Sequence, residues 1–511
     1  MHRRVGEQIL CCGMGADATP GTAGAASKDP IAEIISMQER LTEVLRVSFH
    51  MQDAFRVAFK NSFEFVLNSS AIPASASGGK TNTSCSSKVS ELLAKYFDKK
   101  LRSGGHSGGA EGSTMGMQLE QSLDKALALF CYVNSKDVFE AFYRKYLSRR
   151  LLLGKSASEE LERSVISKLK AECGANYTSK LEGMFTDMEL SKDIMVQYGV
   201  HNGVSVGGAA KVAGTKMDAH IQVLTTGFWP TPQLQFTTEP ASLPAIFPTD
   251  IQRVQKHFES FYHSKYQGRR LSWAYSLDRC LVVARFPRGK KELEVSFHQS
   301  LVLCCFNVEK MQGRVALSYS DIKQMVPLGD SELQRTIISL CNGPIGTRVL
   351  VKEPKGRDLN VDTDVLRFNA EFVNKLFHIK INAIQVGSRA ALRCVVLCCA
   401  VLCCFSHSVS VSGFRLILHF NALMQLRESI EETDKVNEEV LRDRQYQTDA
   451  VIVRIMKARK RLGHNGLISE LLSQLKYPAK TVELKKRLES LIERDYLKRD
   501  SDDSTVYCYL A

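Results

Sequence analysis

Apolar residues recur at helical spacing through the first part of the chain, and this period changes near Ile221. One stripe of an amphipathic helix, with members at i, i+3, i+7 and i+11, consists of Ile34, Met37, Leu41 and Leu45. Another consists of Phe139, Phe142, Tyr143 and Leu147. Such long helices, separated by short turns, predict a helical bundle.

Beyond the change of period the apolar runs are short and resemble strands. The predicted strands are Ile221–Leu224, Leu271–Trp273, Leu281–Phe286 and Leu293–Ser296, while Val302–Phe306 fits either a strand or a buried helix. This part of the chain is therefore predicted to be an α/β region.

Two later segments share one plan, in which two short helices precede two strands. The first has helices at Asp321–Met325 and Ser331–Leu340 and strands at Val349–Lys352 and Val365–Asn369. The second has helices striped by Leu467, Leu471, Leu472 and Leu475 and by Leu484, Leu488, Leu491 and Ile492, then strands at Tyr496–Arg499 and Val506–Leu510. Thr481 is placed to cap the last helix. This plan is typical of winged-helix domains.

Composition fits a multidomain globular protein, since 511 residues exceed the usual size of one core. The formal charge of +13 favours acidic partners without choosing among them. The 15 cysteines include adjacent pairs and form no regular framework, so we expect a reducing compartment and no zinc site. The apolar run 390–405 is shorter than the roughly 20 residues that span a bilayer. We therefore expect no membrane association.

The helix predicted from about Gln447 to Leu462 carries an exposed lysine. At about 100° per residue its apolar face consists of Val451, Ile455, Ala458 and Leu462. Lys457 lies away from that face, with Arg454 and Arg461 on its own stripe. On this geometry alone, a solvated basic face is the simpler interpretation.

The same helix resembles a known family. The run Ile452-Val453-Arg454-Ile455-Met456-Lys457, followed by Arg459-Lys460 and His464-Asn465, is similar to the modification motif of cullins. Other cullin-like runs occur along the chain in the family's order: Lys136–Tyr143, Arg149–Leu152, Glu172–Gly174, Thr178–Phe185, Leu224–Pro230, Asp443–Gln447 and the ending from Leu484 to Ala511. The runs Asp187–Asp193 and Asp443–Gln447 favour the cullin-4 subgroup, and Lys352–Lys355 resembles cullin-3 as a second choice.

The resemblance implies a scaffold of a cullin-RING ubiquitin ligase that has no catalytic, cofactor-binding or metal-binding residues. Lys457 would form an isopeptide bond with a ubiquitin-like modifier of the neddylation pathway. Its motif comprises Ile452, Val453, Arg454, Ile455, Met456 and Arg459. The implied partners are a RING-box protein held at a sheet edge between about Phe228 and Asn307, the modifier with its conjugating enzyme and, indirectly, a ubiquitin-conjugating enzyme. The implied location is cytoplasm and nucleus.

The expected fold is mainly α with α+β parts. It comprises a helical repeat remnant, a four-helix bundle, an α/β region and two winged-helix domains. The predicted boundaries are a disordered leader at 1–29, the last helical repeat at 30–117, the bundle at 118–220, the RING-box-binding region at 221–307, the first winged helix at 308–385, an insertion at 386–425 and the C-terminal domain at 426–511. Earlier cullin repeats are missing, so substrate-adaptor binding is expected to be weak or absent.

Two other functions fit parts of the sequence. A winged-helix protein that binds nucleic acid would use the net charge and Lys485-Lys486-Arg487, although no set of base-reading side chains is evident. The second alternative is a hydrolase or transferase in its own right, which activity of the purified chain without a RING partner would favour.

The run 386–425 is predicted to be a translated, unspliced intron. Resemblance to cullins stops at Gln385 and resumes near Leu426. Val386 opens the run with a codon that begins GT, and the codon of Gln425 can be CAG, which are common intron ends. Its apolar, cysteine-rich part would be an aggregation hazard if exposed. We expect mature transcripts sequenced across this junction to lack these codons. Consistent retention, together with cellular peptides from Ser406–Arg415, would instead establish a lineage-specific loop.

Overall fold

The computed structural model of this protein describes residues 29–68, 85–103, 112–202, 210–211, 218–230, 249–275, 278–307, 316–326, 328–341, 348–354, 359, 364–381, 413–475, 477, 479–500, 503 and 505–510. The chain divides into two compact units. One comprises Met1–Asp187, Leu224–Pro230 and Glu432–Ala511, and the other Met188–Val223 and Thr231–Glu431. The predicted leader, the membrane-like run 390–405 and most of the insertion lie outside the described residues.

The first part of the chain is helical, as predicted. Its helices are α1 (Pro30–Ser48), α2 (Asp53–Asn68), α3 (Cys85–Ser103), α4 (Gly112–Phe130), α5 (Lys136–Leu152), α6 (Glu159–Cys173) and α7 (Ala175–His201). The stripe on α5 is buried, with Phe139 and Tyr143 fully inaccessible. The ring of Phe97 on α3 meets Phe139 edge-on at 5.7 Å between centroids. Aromatic packing between helices therefore forms this core.

A buried charge cluster links three of these helices. Arg150 on α5 is 0% exposed, and its Nε donates to Glu162 on α6 at 2.6 Å. Its Nη1 donates to Asp98 on α3 at 2.7 Å. A guanidinium this deep is tolerated because both carboxylates neutralise it and accept its hydrogen bonds.

Two runs that resemble the family meet in the same unit. The Asp187 carboxylate accepts from the backbone of Thr225 and from Trp229 Nε1, each at 2.8 Å. A Cβ on Gly183 would lie 2.7 Å from the ring of Phe228, so any larger residue there would require this ring to shift. The segment Leu224–Pro230 is thereby fixed against α7.

The second unit contains the α/β region. Its elements are β1 (Ala210–Lys211), β2 (Asp218–Ala219), α8 (Thr249–Lys265), β3 (Arg279–Phe286), β4 (Gly289–Ser296), α9 (Phe297–Cys305) and β8 (His378–Lys380). β3 and β4 form an antiparallel hairpin, and β8 pairs with β4 in parallel. The ambiguous run Val302–Phe306 is helical up to Cys305.

Two predicted strands in this region are wrong. Ile221–Leu224 and Leu271–Trp273 form neither helix nor strand. In the second unit Ile221, Leu271 and Trp273 pack against the aromatic cluster around Phe258 on α8. These residues are apolar because they are buried against a helix. A short apolar run has the same pattern whether it is buried in this way or paired as a strand.

The first winged-helix plan is present. Its elements are β5 (Leu317–Ser318), α10 (Tyr319–Met325), α11 (Asp330–Cys341), β6 (Leu350–Glu353) and β7 (Val365–Phe368). The three strands form an antiparallel sheet in the order β5-β7-β6. Ser318 caps α10 in a capping box with Asp321.

The C-terminal plan is also present. Its elements are α12 (Gly413–Arg459), β9 (Arg461–Gly463), α13 (His464–Gln474), α14 (Thr481–Glu493), β10 (Leu497–Arg499) and β11 (Val506–Tyr509). The strands pair in the order β10-β11-β9. Two details were predicted wrongly: Thr481 is the first helical residue rather than the cap, and Leu472 is 47% exposed.

The expected fold, mainly α with α+β parts, is confirmed. Among the described residues, no helix is both long and apolar enough to span a bilayer. The predicted domain boundaries stay a prediction.

Candidate functional site

The last turns of α12 hold the predicted acceptor lysine. Ile452, Ile455 and Met456 are 0%, 2% and 0% exposed and belong to the core of the C-terminal domain. Their i, i+3, i+4 spacing places them on one side of the helix. Lys457 follows directly and is exposed, as predicted. Its amine forms no ion pair or hydrogen bond with any residue that the structure describes.

The predicted apolar face was centred incorrectly. It consisted of Val451, Ile455, Ala458 and Leu462. Ala458 is exposed, and Leu462 lies in β9 because α12 ends at Arg459. Extending the helical pattern past this end moved the predicted face by about one residue, away from Ile452 and Met456.

The two arginines predicted to flank Lys457 have separate partners. Arg454 Nη2 donates to Gln474 Oε1 at 2.7 Å. Arg461 is not on the helix at all: it lies in β9 and forms an ion pair with Asp500. The predicted three-cation stripe is therefore wrong, because the helix ends before Arg461.

Two further motif residues, Val453 and Arg459, make contacts within the C-terminal domain. Val453 is partly buried against the domain core. Arg459 is in the last turn of α12, and its Nε lies 3.5 Å from Glu470 on α13. Most neighbouring cations are thus held by acidic or amide groups, whereas Lys457 projects into solvent.

An open groove of about 690 Å³ adjoins Lys457. It is lined by Tyr446, Asp449, Ala450, Val453, Arg454, Lys457, Ala458, Leu491, Arg494 and Tyr496. Tyr446 is 65% exposed and Tyr496 is 42% exposed. The amine therefore sits beside an aromatic and apolar surface that a macromolecule can contact.

Asp449 connects α12 to α14. It is 9% exposed and accepts from Arg487 Nε at 2.8 Å and from Arg494 Nη2 at 2.7 Å. Burial by itself raises the pKa of the Asp449 carboxyl, but the two guanidinium groups lower it below its ordinary value. Asp449 was not predicted from the sequence, because Arg487 and Arg494 lie 38 and 45 positions away and no helical or strand period relates such distant residues.

The contact between Arg487 and Asp449 divides the basic run Lys485-Lys486-Arg487, which a nucleic-acid-binding protein would use. Arg487 is held by Asp449, whereas Lys485 and Lys486 are exposed. Its three cations consequently do not form one free surface.

Ion pairs join α12 to the helical bundle of the same unit. Arg444 donates to both oxygens of Asp137 on α5, at 2.5 and 2.8 Å. Arg144 on α5 lies 3.2 Å from Glu439. The Arg444 guanidinium also lies over the ring of Tyr477, 5.0 Å from its centroid. The helix that carries Lys457 is thereby anchored to α5 at residues that precede its buried C-terminal turns.

A second candidate surface is the strand edge in the second unit. In the order β3-β4-β8, β3 is an outer strand. Its side chains alternate: Leu281 and Val283 are 57% and 47% exposed, whereas Val282 and Ala284 pack on the core with Phe286. Exposed apolar side chains on an outer strand favour pairing with a strand of another chain.

Three family models match the chain. They describe the cullin alpha solenoid domain at residues 8–195, the cullin alpha+beta domain at 223–372 and the cullin protein neddylation domain at 443–503. Residues 373–442, which contain the run 386–425, lie between the second and third matches.

Curated relatives match nearly the whole chain. Mouse cullin-4A is 41% identical over 95% of this chain and 53% of its own length. Cullin-4 of Dictyostelium discoideum is 36% identical over 94% of this chain and 54% of its own, and Arabidopsis cullin-3A is 34% identical over 95% and 56%. The predicted subgroup order, cullin-4 before cullin-3, is confirmed. The chain spans about half the length of these relatives.

One solved structure, from work on Rub1 ligation to Cdc53, is 38% identical to this chain. The match covers 16% of this chain and 94% of that one, with a TM-score of 0.15. A score this low supports no structural comparison.

Replacing Asp449 by asparagine should destabilise the C-terminal domain in a pH-dependent way. The charge of Asp449 stabilises the fold above the unfolded pKa of about 3.9, and this contribution is lost as pH falls through the lower folded pKa. At pH 7 we expect Asp449→Asn to reduce the free energy of unfolding by about 1.5–3 kcal/mol. The difference from wild type should shrink at acid pH.

Hydrogen exchange of peptides from α14, corrected for the intrinsic rate at each pH, measures this effect. The exposed Asp495 provides the control, because Asp495→Asn should change stability by less than about 0.5 kcal/mol. A penalty for Asp449→Asn that stays constant between pH 7 and pH 3 would show that its charge does not hold α12 to α14.

Proposed function

This chain belongs to the cullin family, and on that premise we propose that it is a scaffold of a cullin-RING ubiquitin ligase, regulated by a ubiquitin-like modifier attached at Lys457. The observation that carries this proposal is the exposed Lys457 amine at the end of a helix whose opposite side is buried. The scaffold itself supplies no catalytic residue. It promotes ubiquitin-dependent degradation by holding substrate and charged enzyme close together, which raises their effective concentration.

Attachment at Lys457 is an acyl transfer. The neutral amine attacks the carbonyl carbon of the thioester that joins the modifier's C-terminus to a cysteine of its conjugating enzyme. The carbon–sulfur bond breaks, the enzyme leaves as a thiol or thiolate, and the amine nitrogen loses a proton to form the isopeptide bond. The groove beside Lys457 offers a contact surface for the incoming enzyme or modifier.

We assign the RING-box partner to the outer edge of β3. A strand added there would gain main-chain hydrogen bonds and contacts with Leu281 and Val283. The RING-box protein would carry the zinc and recruit the ubiquitin-conjugating enzyme. The corresponding location is the cytoplasm and nucleus.

Changing Lys457 to arginine should abolish modification. Arginine keeps the positive charge but does not supply a neutral amine. The test incubates the full chain with a RING-box protein, the modifier and its conjugation enzymes, and maps the product by mass spectrometry. Lys460→Arg, three residues away, serves as the control and should be modified like wild type. Equal modification of Lys457→Arg and wild type would refute the assignment.

The proposed RING-box surface can be tested by pull-down. We expect this chain to retain a RING-box protein. Leu281→Asp with Val283→Asp should weaken RING-box capture at least ten-fold, because charges replace apolar contacts on the strand edge. Leu190→Asp, at a residue 51% exposed on α7, provides the matched control. RING-box capture unaffected by the double change would contradict this assignment.

A further inference from the structure

Two primary amines lie close together in sequence at the end of α12. Lys457 and Lys460 are three residues apart, and on a continuing helix they would be neighbours on one face. An enzyme that delivers a modifier to that face would then meet both amines. Selection between them requires a difference in their position or reactivity.

The backbone separates the two lysines. α12 ends at Arg459, and Lys460 has φ +62°, the left-handed region that β-carbon-bearing residues seldom adopt. Its N–H still donates to Met456 O at 2.8 Å, while its own carbonyl accepts from Tyr509 N–H at 2.9 Å. The Lys460 side chain consequently leaves the helical path that Lys457 follows.

An aromatic ring holds the redirected amine. Lys460 Nζ lies 5.0 Å from the centroid of the Tyr509 ring. Tyr509 is on β11 and is partly buried against the core of the C-terminal domain, which restrains its ring. A cation over the face of an aromatic ring is stabilised as a cation. The contact therefore restrains the Lys460 side chain and limits the reach of its amine.

We propose that Tyr509 is a positioning residue that directs modification to Lys457 by restraining Lys460. The proposal rests on the proposed role of Lys457 as acceptor. It adds that the choice of lysine is made by this chain, through β11, and does not belong to the conjugating enzyme alone. Lys457 keeps its freedom because no described residue forms an ion pair or hydrogen bond with its amine.

The first experiment measures the intrinsic accessibility of the amines. The full chain is treated with a limiting N-hydroxysuccinimide ester, and acylation rates of single lysines are read by mass spectrometry. The variants are Tyr509→Phe, which keeps the ring, and Tyr509→Leu, which keeps apolar packing without a ring. We expect the Lys460 to Lys457 rate ratio to rise about two- to five-fold in Tyr509→Leu and to stay at the wild-type value in Tyr509→Phe.

The exposed Lys485 on α14 is the internal control for folding. Its acylation rate should be the same in all three proteins. If Tyr509→Leu changes Lys485 as well, the same comparison is made with Tyr509→Met, which also lacks a ring. A Lys460 to Lys457 ratio that is unchanged by removal of the ring in a folded variant overturns the proposal.

The second experiment repeats enzymatic modification in the Lys457→Arg background. With Tyr509 or Tyr509→Phe we expect no product, and with Tyr509→Leu we expect modifier at Lys460. If wild type is modified at Lys457 but Lys460 stays unmodified without the ring, the inference fails and the proposed function stands. If acylation changes as expected but enzymes modify no lysine in wild type, the proposed function fails and the restraint of Lys460 stands.

Discussion

The burial of Ile452, Ile455 and Met456 in the C-terminal core fixes the rotation of α12 about its axis. It thereby sets the direction of the other side chains in the last turns of this helix. Burying each large apolar side chain stabilises the fold by roughly 1.5–3 kcal/mol. Lys457 is about 140° around the helix from Ile452, so a rotation that brought Lys457 into the core would expose these residues and bury a charged amine. Burial of an unpaired charge is far more costly than burial of an apolar group. The exposed position of Lys457 is thus a consequence of core packing.

Polar contacts then fix the helix against its neighbours. Asp449 ties α12 to α14 through two arginines, and Arg444 ties it to Asp137 of the helical bundle. Both contacts use paired hydrogen bonds to a carboxylate, which specify direction as well as distance. The apolar core therefore sets the rotation of the helix, and the ion pairs set which neighbours it lies against. The acyl transfer proposed for Lys457 would depend on such fixed geometry, because attack requires alignment.

Elements with strong periodicity could be predicted from the sequence. The helices around Phe139 and Leu484 and the hairpin strands β3 and β4 are confirmed, because burial of one face imposes the 3.6 or 2.0 period. Ile221–Leu224 was predicted wrongly because burial against α8 gives the same short apolar run as a strand. The site was predicted only in part. The exposed position of Lys457 was predicted, but its role as acceptor stays a prediction. The end of α12 at Arg459 depends on the backbone at Lys460 and its hydrogen bond to Tyr509. The role of Asp449 could not be predicted, because its partners lie far away in the sequence and no local pattern indicates such a contact.

The surroundings of Lys457 also bear on how the proposed modification would proceed. The C-terminal end of a helix carries a partial negative charge and favours cations, as the placement of Lys457 and Arg459 in the last turn of α12 reflects. Attack on a thioester requires the neutral amine. Among the described residues, none forms a hydrogen bond with Lys457 Nζ that would accept its proton. In the proposed reaction, the described residues present the amine in a defined position, and the enzyme that delivers the modifier supplies the base.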